Sequence, residues 1–142
     1  ESFAEGESPY EKYISAADLA KITGITGLKL IPRDPSKGAG GDLNYANANG
    51  EMVIMFQFLS SSFFEEFKKA PQMYGTPLKL EGTDMDILIG PQKPPQYALI
   101  FKKGLYTVSI SSFFNFGGAK LGTLYVEMPK IKELAQLIAS RL

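Results

Sequence analysis

"YALIFKKGLYTVSIS", Tyr97 to Ser111, is the stretch on which the fold turns. It reads as two strands with a tight turn at Lys103-Gly104 between them. Strands joined so closely run antiparallel, because a parallel return needs a crossover of a dozen or more residues. Working outward, "TPLKLEG" and "MDILIG" read as strands before it and "GTLYVEM" as a strand after it. Further upstream, "DLNYA" and "EMVIMFQFL" read as the arms of a second hairpin, turned by "NANG", where Asn49-Gly50 tolerates positive φ. Met52 to Leu59 is nearly continuous in apolarity, which predicts a central strand covered on both faces.

Helices frame these strands. In "ISAADLAKITG", Ser15 and Asp18 have capping-box spacing, Ile14 and Leu19 that of a hydrophobic staple, and Gly24 supplies a left-handed exit. "GLKLIP" then predicts a short strand, Gly27 to Ile31, stopped by Pro32. In "SSSFFEEFKKAP", Ser62 with Glu65 predicts a second capping box, and Pro71 is expected to prevent further helix. In "PKIKELAQLIASRL", Pro129 suits the first turn, and Ile131, Leu134, Ala135, Ile138 and Leu142 repeat at helical spacing, a stripe suited to packing on a sheet. The fold class is therefore α+β, a mainly antiparallel sheet with helices packed on it. "TGLKL" at 26–30 recurs as "TPLKL" at 76–80, and "SSFF" at 61–64 recurs at 111–114, so an echo at an offset of 50 residues hints at internal duplication, with chance as its competitor.

A chain of 142 residues fits one domain, and 44% hydrophobic residues place it among folded globules and not disordered segments. Fifteen basic residues balance fifteen acidic ones, leaving no basic field to draw nucleic acid. The chain has no Cys, no His and no Trp. That removes Ser-His-Asp, Cys-His and zinc-type sites together, and leaves carboxylates, Lys, Tyr, Ser and Thr for any catalysis. No apolar run is long enough to span a bilayer. Residues 1–13, "ESFAEGESPYEKY", are small, polar and acidic and read as a flexible tether to a domain over 14–142; a signal peptide or lipid-anchor cysteine upstream of Glu1 is the accompanying expectation.

Several stretches carry groups suited to a site. "KGAGGDLNYANANGE", Lys37 to Glu51, has Gly38, Gly40 and Gly41 between two strands, with Lys37 ahead of them, which is the wrong frame for a phosphate loop. Asp42, Asn44, Asn47, Asn49 and Glu51 are oxygen donors of the type calcium prefers, but no EF-hand frame fits them, so the stretch reads as a loop and a hairpin turn and no metal is assigned. In "EGTDMDILIG", Glu81, Asp84 and Asp86 form a carboxylate cluster; acid–base work is one reading and a solvated strand edge the plainer one. Phe113, Phe114 and Phe116, beside a glycine turn, are the rings expected to be exposed as a ligand or partner patch.

The order helix, strand, hairpin, helix, antiparallel strands, final helix, with the hairpin "YALIFKKGLYTVSIS" and the closing "IKELAQLIASRL", resembles the PsbP-like group of small α+β domains. It is similar also to bacterial extracytoplasmic domains of unknown function with this layout. The resemblance covers about residues 14–142, rests on layout, and brings no site residues with it. It implies a secreted, periplasmic or membrane-anchored domain without catalysis. The expectation is a non-enzymatic binding or protein-interaction module that needs no cofactor and binds a protein partner or a small apolar ligand. The alternatives are a carboxylate-based enzyme, or an apolar-ligand-binding protein with a pocket near the aromatic cluster.

Overall fold

The computed structural model describes residues 8–31, 42–115 and 123–142. Four helices and nine strands follow in the order α1 (Ala16–Thr23), β1 (Lys29–Ile31), β2 (Leu43–Ala46), β3 (Met52–Ser60), α2 (Phe63–Lys68), α3 (Pro71–Tyr74), β4 (Leu78–Lys79), β5 (Asp86–Gly90), β6 (Ala98–Lys103), β7 (Tyr106–Ser112), β8 (Phe114–Asn115), β9 (Thr123–Leu124) and α4 (Met128–Arg141). Seven strands form one sheet in the order β1-β2-β3-β7-β6-β5-β4. Every neighbouring pair is antiparallel. The sheet is two meanders, joined where β3 pairs with β7 from Ile54↔Ser112 to Ser60↔Tyr106. The expected antiparallel α+β architecture is present.

Alternation along the strands divides the side chains between two faces. On one face Phe56 and Phe58, Leu99 and Phe101, Val108 and Ile110 meet Ile131, Leu134, Ala135 and Ile138 of α4, and Leu19 of α1 joins them. Full burial of a side chain such as Phe56 or Phe101 stabilises the fold by about 1.5–3 kcal/mol. Tyr45 is buried in the same core, and its hydroxyl donates to the Ile14 carbonyl at 2.7 Å, tying β2 to the entry of α1. Burial pushes this phenol's pKa upward. The opposite face carries a smaller cluster, in which Phe64 of α2 covers Leu88 and Ile100 and is flanked by Phe67 and Tyr74.

Tight turns close the hairpins. Between β6 and β7 the turn is Gly104-Leu105, with Gly104 at φ +57°, the left-handed first position of a II′-type connection. Between β2 and β3 only Gly50 is left-handed, and Asn47 Oδ1 accepts from the Asn49 and Glu51 amides to hold the loop.

Four local expectations are corrected. Ser62 makes no side-chain cap to α2; its hydroxyl lies 2.8 Å from that of Ser60. Pro71 does not end helical structure but occupies the first turn of α3, where its missing N–H costs nothing. "GTLYVEM" contributes only Thr123–Leu124, in a ribbon with β8. Tyr10 is not part of a free tether: it stacks on Phe58 with centroids 4.6 Å apart, and Tyr13 packs on the same ring, so residues 8–13 belong to the packed domain.

The two copies of the echo lie at opposite margins of the sheet, Lys29 in β1 and Lys79 in β4, and Phe58 pairs with Val108 across the central ladder. The helices do not share this relation, since α1 lies on the α4 face and α2 on the other.

One tertiary clamp ties α1 to α4. Asp18 completes the capping box with Ser15 and receives Arg141 Nη1 at 2.6 Å and Nη2 at 3.1 Å, while Nη1 also reaches the Tyr13 carbonyl. The hydrogen bond from Arg141, followed by those from Ser15, outweighs burial and holds the Asp18 pKa at about 2. The folded value lies below the unfolded one, so the clamp stabilises the fold above about pH 4, and that stability fades as pH falls through about 2. With the Asp18 side chain 20% exposed, solvent screening reduces the effect to about 1 kcal/mol. Circular-dichroism melts between pH 2 and pH 6 should show this loss in the parent and a flattened pH dependence in Arg141→Ala. Equal slopes for the two proteins would contradict the assignment.

Candidate functional site

The second face of the sheet is only partly covered. Thr107, on β7, points to this side, is fully buried, donates to the Ser61 carbonyl at 3.1 Å and accepts from the Phe64 amide at 3.0 Å. These bonds fix the start of α2 above β7, and Phe64 then anchors the helix on Leu88 and Ile100. The chain turns at Ala70, and Pro71 begins α3 over the end of β5. Between these short helices and the strands remains a cleft of about 260 Å³. Its floor is Ala98 and Ile100 from β6, Ser109 and Ser111 from β7, and Gln57 from β3; its walls are Phe67, Met73, Tyr74, Pro91 and Tyr97.

The cleft's residues are close neighbours by register. Gln57 lies opposite Ser109, Ile100 opposite Ser109, and Ala98 opposite Ser111. Tyr97 is fixed through its backbone: its amide donates to the Gly90 carbonyl at 3.1 Å, and its carbonyl accepts from the Ser112 amide at 2.9 Å. Phe67 and Tyr74 meet edge to face at 5.3 Å. No carboxylate or ammonium group is among the described lining residues. The cleft therefore offers aromatic and aliphatic surface, two serine hydroxyls, an amide and two phenols.

Phe113 and Phe114 are both half-buried. Phe114 packs edge to face on Tyr97 at 5.4 Å, behind the cleft wall. The Phe113 amide donates to the Val53 carbonyl at 2.9 Å. Phe116 lies outside the described residues, as do Lys37 and the glycines at 38, 40 and 41. Of the expected patch, Phe114 thus meets a residue of the cleft wall without lining the cleft itself.

The carboxylates of "EGTDMDILIG" separate. Glu81 pairs with Lys132 at 2.9 Å on α4, and that hydrogen bond lowers its pKa. Asp86 pairs with Lys79 at 2.7 Å, and the same ammonium donates to the Asp84 carbonyl at 3.0 Å. Asp84 and Asp86 are exposed at the rim of a groove of about 830 Å³ between α2 and α4, lined also by Glu65, Lys68, Lys102 and Lys103. This is a solvated strand end carrying both signs of charge.

In the oxygen-donor stretch, Asp42 accepts from the Phe58 amide at 2.7 Å, and Asn47 serves the turn through Oδ1 and reaches Glu51 and Tyr125 through Nδ2. Among the described residues no group of His, Cys, Asp or Glu is placed to hold a metal ion, and no helix is long and apolar enough to cross a membrane.

Gly90 lets α3 sit close enough to form the cleft wall. A Cβ there would come within 2.7 Å of both the Met73 carbonyl oxygen and Tyr74 Cδ1. The first contact is backbone and yields only by shifting α3. Gly90→Ala should lower stability by about 1–3 kcal/mol in urea unfolding, as overpacked sites do, and should move the Tyr74 ring resonances. An unchanged midpoint would show that α3 is not seated as described.

The chain matches no protein-family model, no curated protein and no solved structure.

Proposed function

We propose that this protein is a non-enzymatic binding module that takes a small ring-shaped ligand in the cleft beneath α2 and α3. The observation that carries the reading is the lining itself: Phe67, Tyr74 and Tyr97 wall a floor of Ile100 and Ala98, and no charged group is among the described lining residues. Pockets that recognise small molecules combine apolar surface with a few placed polar groups. Acid–base chemistry needs titratable side chains within reach of the bound molecule. The carboxylates weighed for an enzyme stand elsewhere, at an exposed strand end, with Asp86 paired to Lys79. The notion of an aromatic patch narrows accordingly: Phe114 acts through Tyr97, as a backing to the wall. Work outside the cytoplasm belongs to the same proposal and rests on the layout resemblance alone.

Indole is a suitable apolar ring probe. Titrated into ¹⁵N-labelled protein, it should shift the amides of Tyr97, Ala98 and Ser109. Ala98→Phe, which places a ring on the cleft floor, should weaken that binding about tenfold or more, equivalent to about 1.4 kcal/mol, while the fold persists by circular dichroism. Shifts confined to the Asp84–Asp86 rim, or none anywhere, would refute the reading.

A further inference from the structure

The floor of the cleft holds more polarity than its walls require. Thr107, Ser109 and Ser111 occupy successive positions on one face of β7. Thr107 is used in full, pinning α2 through two hydrogen bonds. Among the described residues the hydroxyls of Ser109 and Ser111 make no hydrogen bond; Ser109 is 8% exposed, and both serines line the cleft. Neither hydroxyl is sealed from solvent, so both stand on the cleft floor as hydrogen-bonding groups that a bound molecule can take over from water.

Geometry narrows what that partner is. Residues two apart on a strand stand about 6.6–6.8 Å apart along one face. Two ligand oxygens at opposite positions of a six-membered ring laid along the strand are nearly as far apart, so each comes to lie over one serine hydroxyl, within reach of a hydrogen bond. Between the serines' partners on β6, Ala98 and Ile100 give the ring an apolar bed, and Tyr74 and Tyr97 stand over it. A cleft of about 260 Å³ suits one ring with its substituents. An ionised ligand would lose its hydration there without finding an opposite charge in the lining.

Resting on the binding role given above, we propose that the cleft selects a neutral six-membered ring bearing hydroxyl groups at opposite positions, held by Ser109 and Ser111. A pyranose and a hydroquinone share that chemistry.

The test compares trans-1,4-cyclohexanediol with cyclohexanol by amide shifts in ¹⁵N-labelled protein, with indole as a reference that needs neither serine. The parent should bind the diol about fivefold or more tightly than the mono-alcohol, since a site built to pair a hydroxyl disfavours the analogue lacking it. The double variant Ser109→Ala, Ser111→Ala should lose this preference and keep its affinity for indole. Methyl β-glucopyranoside and hydroquinone, titrated in parallel, identify which source of the shared chemistry is preferred. No preference for the diol in the parent, or a preference that survives the double variant, overturns the proposal. If indole binds normally in that event, the binding role stands and only the ligand class falls; if indole also leaves the cleft undisturbed, both fall.

Discussion

The ladder between β3 and β7 is the constraint on which the rest depends. It joins the two meanders into one sheet, and its register decides which side chains each face receives. With Phe58 opposite Val108 and Phe56 opposite Ile110, the hydrocarbon of both strands points to α4. The same register sends Gln57, Thr107, Ser109 and Ser111 to the other side. A slip of one residue would turn Thr107 and Ser109 into the core and Val108 and Ile110 out of it, a change that burial on the α4 face forbids. The polar floor of the cleft is thus the mirror of the core: β7 cannot present valine and isoleucine to one side without presenting hydroxyls to the other.

The two faces are covered by different means, and the difference accounts for the cleft. On the core face α4 is 14 residues long and brings a continuous apolar stripe. On the other face α2 has 6 residues and α3 has 4, so neither carries enough hydrocarbon to hold itself down. They are held at points instead: Thr107 bonded to Ser61 and Phe64, Phe64 over Leu88 and Ile100, and α3 against Gly90. Covers fixed at points leave space between them. Gly90 permits close approach at one end and Phe64 fills the other, and the serines between them line the space that is left.

How much of this was legible in the residues differs by the range of the signal. The capping box of Ser15 and Asp18 and the Ile131–Ile138 stripe are local patterns, and each is realised in the fold because the groups that satisfy one another lie within four residues along the chain or repeat at a regular spacing; the hairpin turn expected at Lys103-Gly104 is present one residue on, at Gly104-Leu105, with Lys103 still in β6. Glu65 could not be read so simply, because Ser62 beside it found Ser60 as its partner. Pro71 carried two meanings, helix stop and first helical turn, and only the packing of α3 on β5 separates them. The cleft was not legible. Gln57, Phe67, Tyr74, Tyr97 and Ser109 come from separate parts of the chain between positions 57 and 109, and strand serines look no different in sequence whether water or a cavity faces them. The signal that was present is the alternation in "YTVSISS", aliphatic against hydroxyl, which marks a strand with one dry face and one polar face.

That alternation also bears on why the aromatic residues divide as they do. Phe56, Phe58 and Phe101 enter the core, where ring area is the main source of stabilisation. Phe67, Tyr74, Tyr97 and Phe114 gather on the hydroxyl side and meet in edge-to-face pairs, Phe67 with Tyr74 and Tyr97 with Phe114. In the first pair both rings line the cleft and in the second Phe114 backs Tyr97, and in each the partner ring restricts the tilt of a wall ring, so the walls keep their shape without a ligand present. A binding surface that is already ordered loses little conformational entropy when it is filled. Rigid walls above a floor with two open hydroxyls are the arrangement in which a small cleft gains selectivity from hydrogen bonds it would otherwise leave unmade, and both parts descend from the single register of β3 against β7.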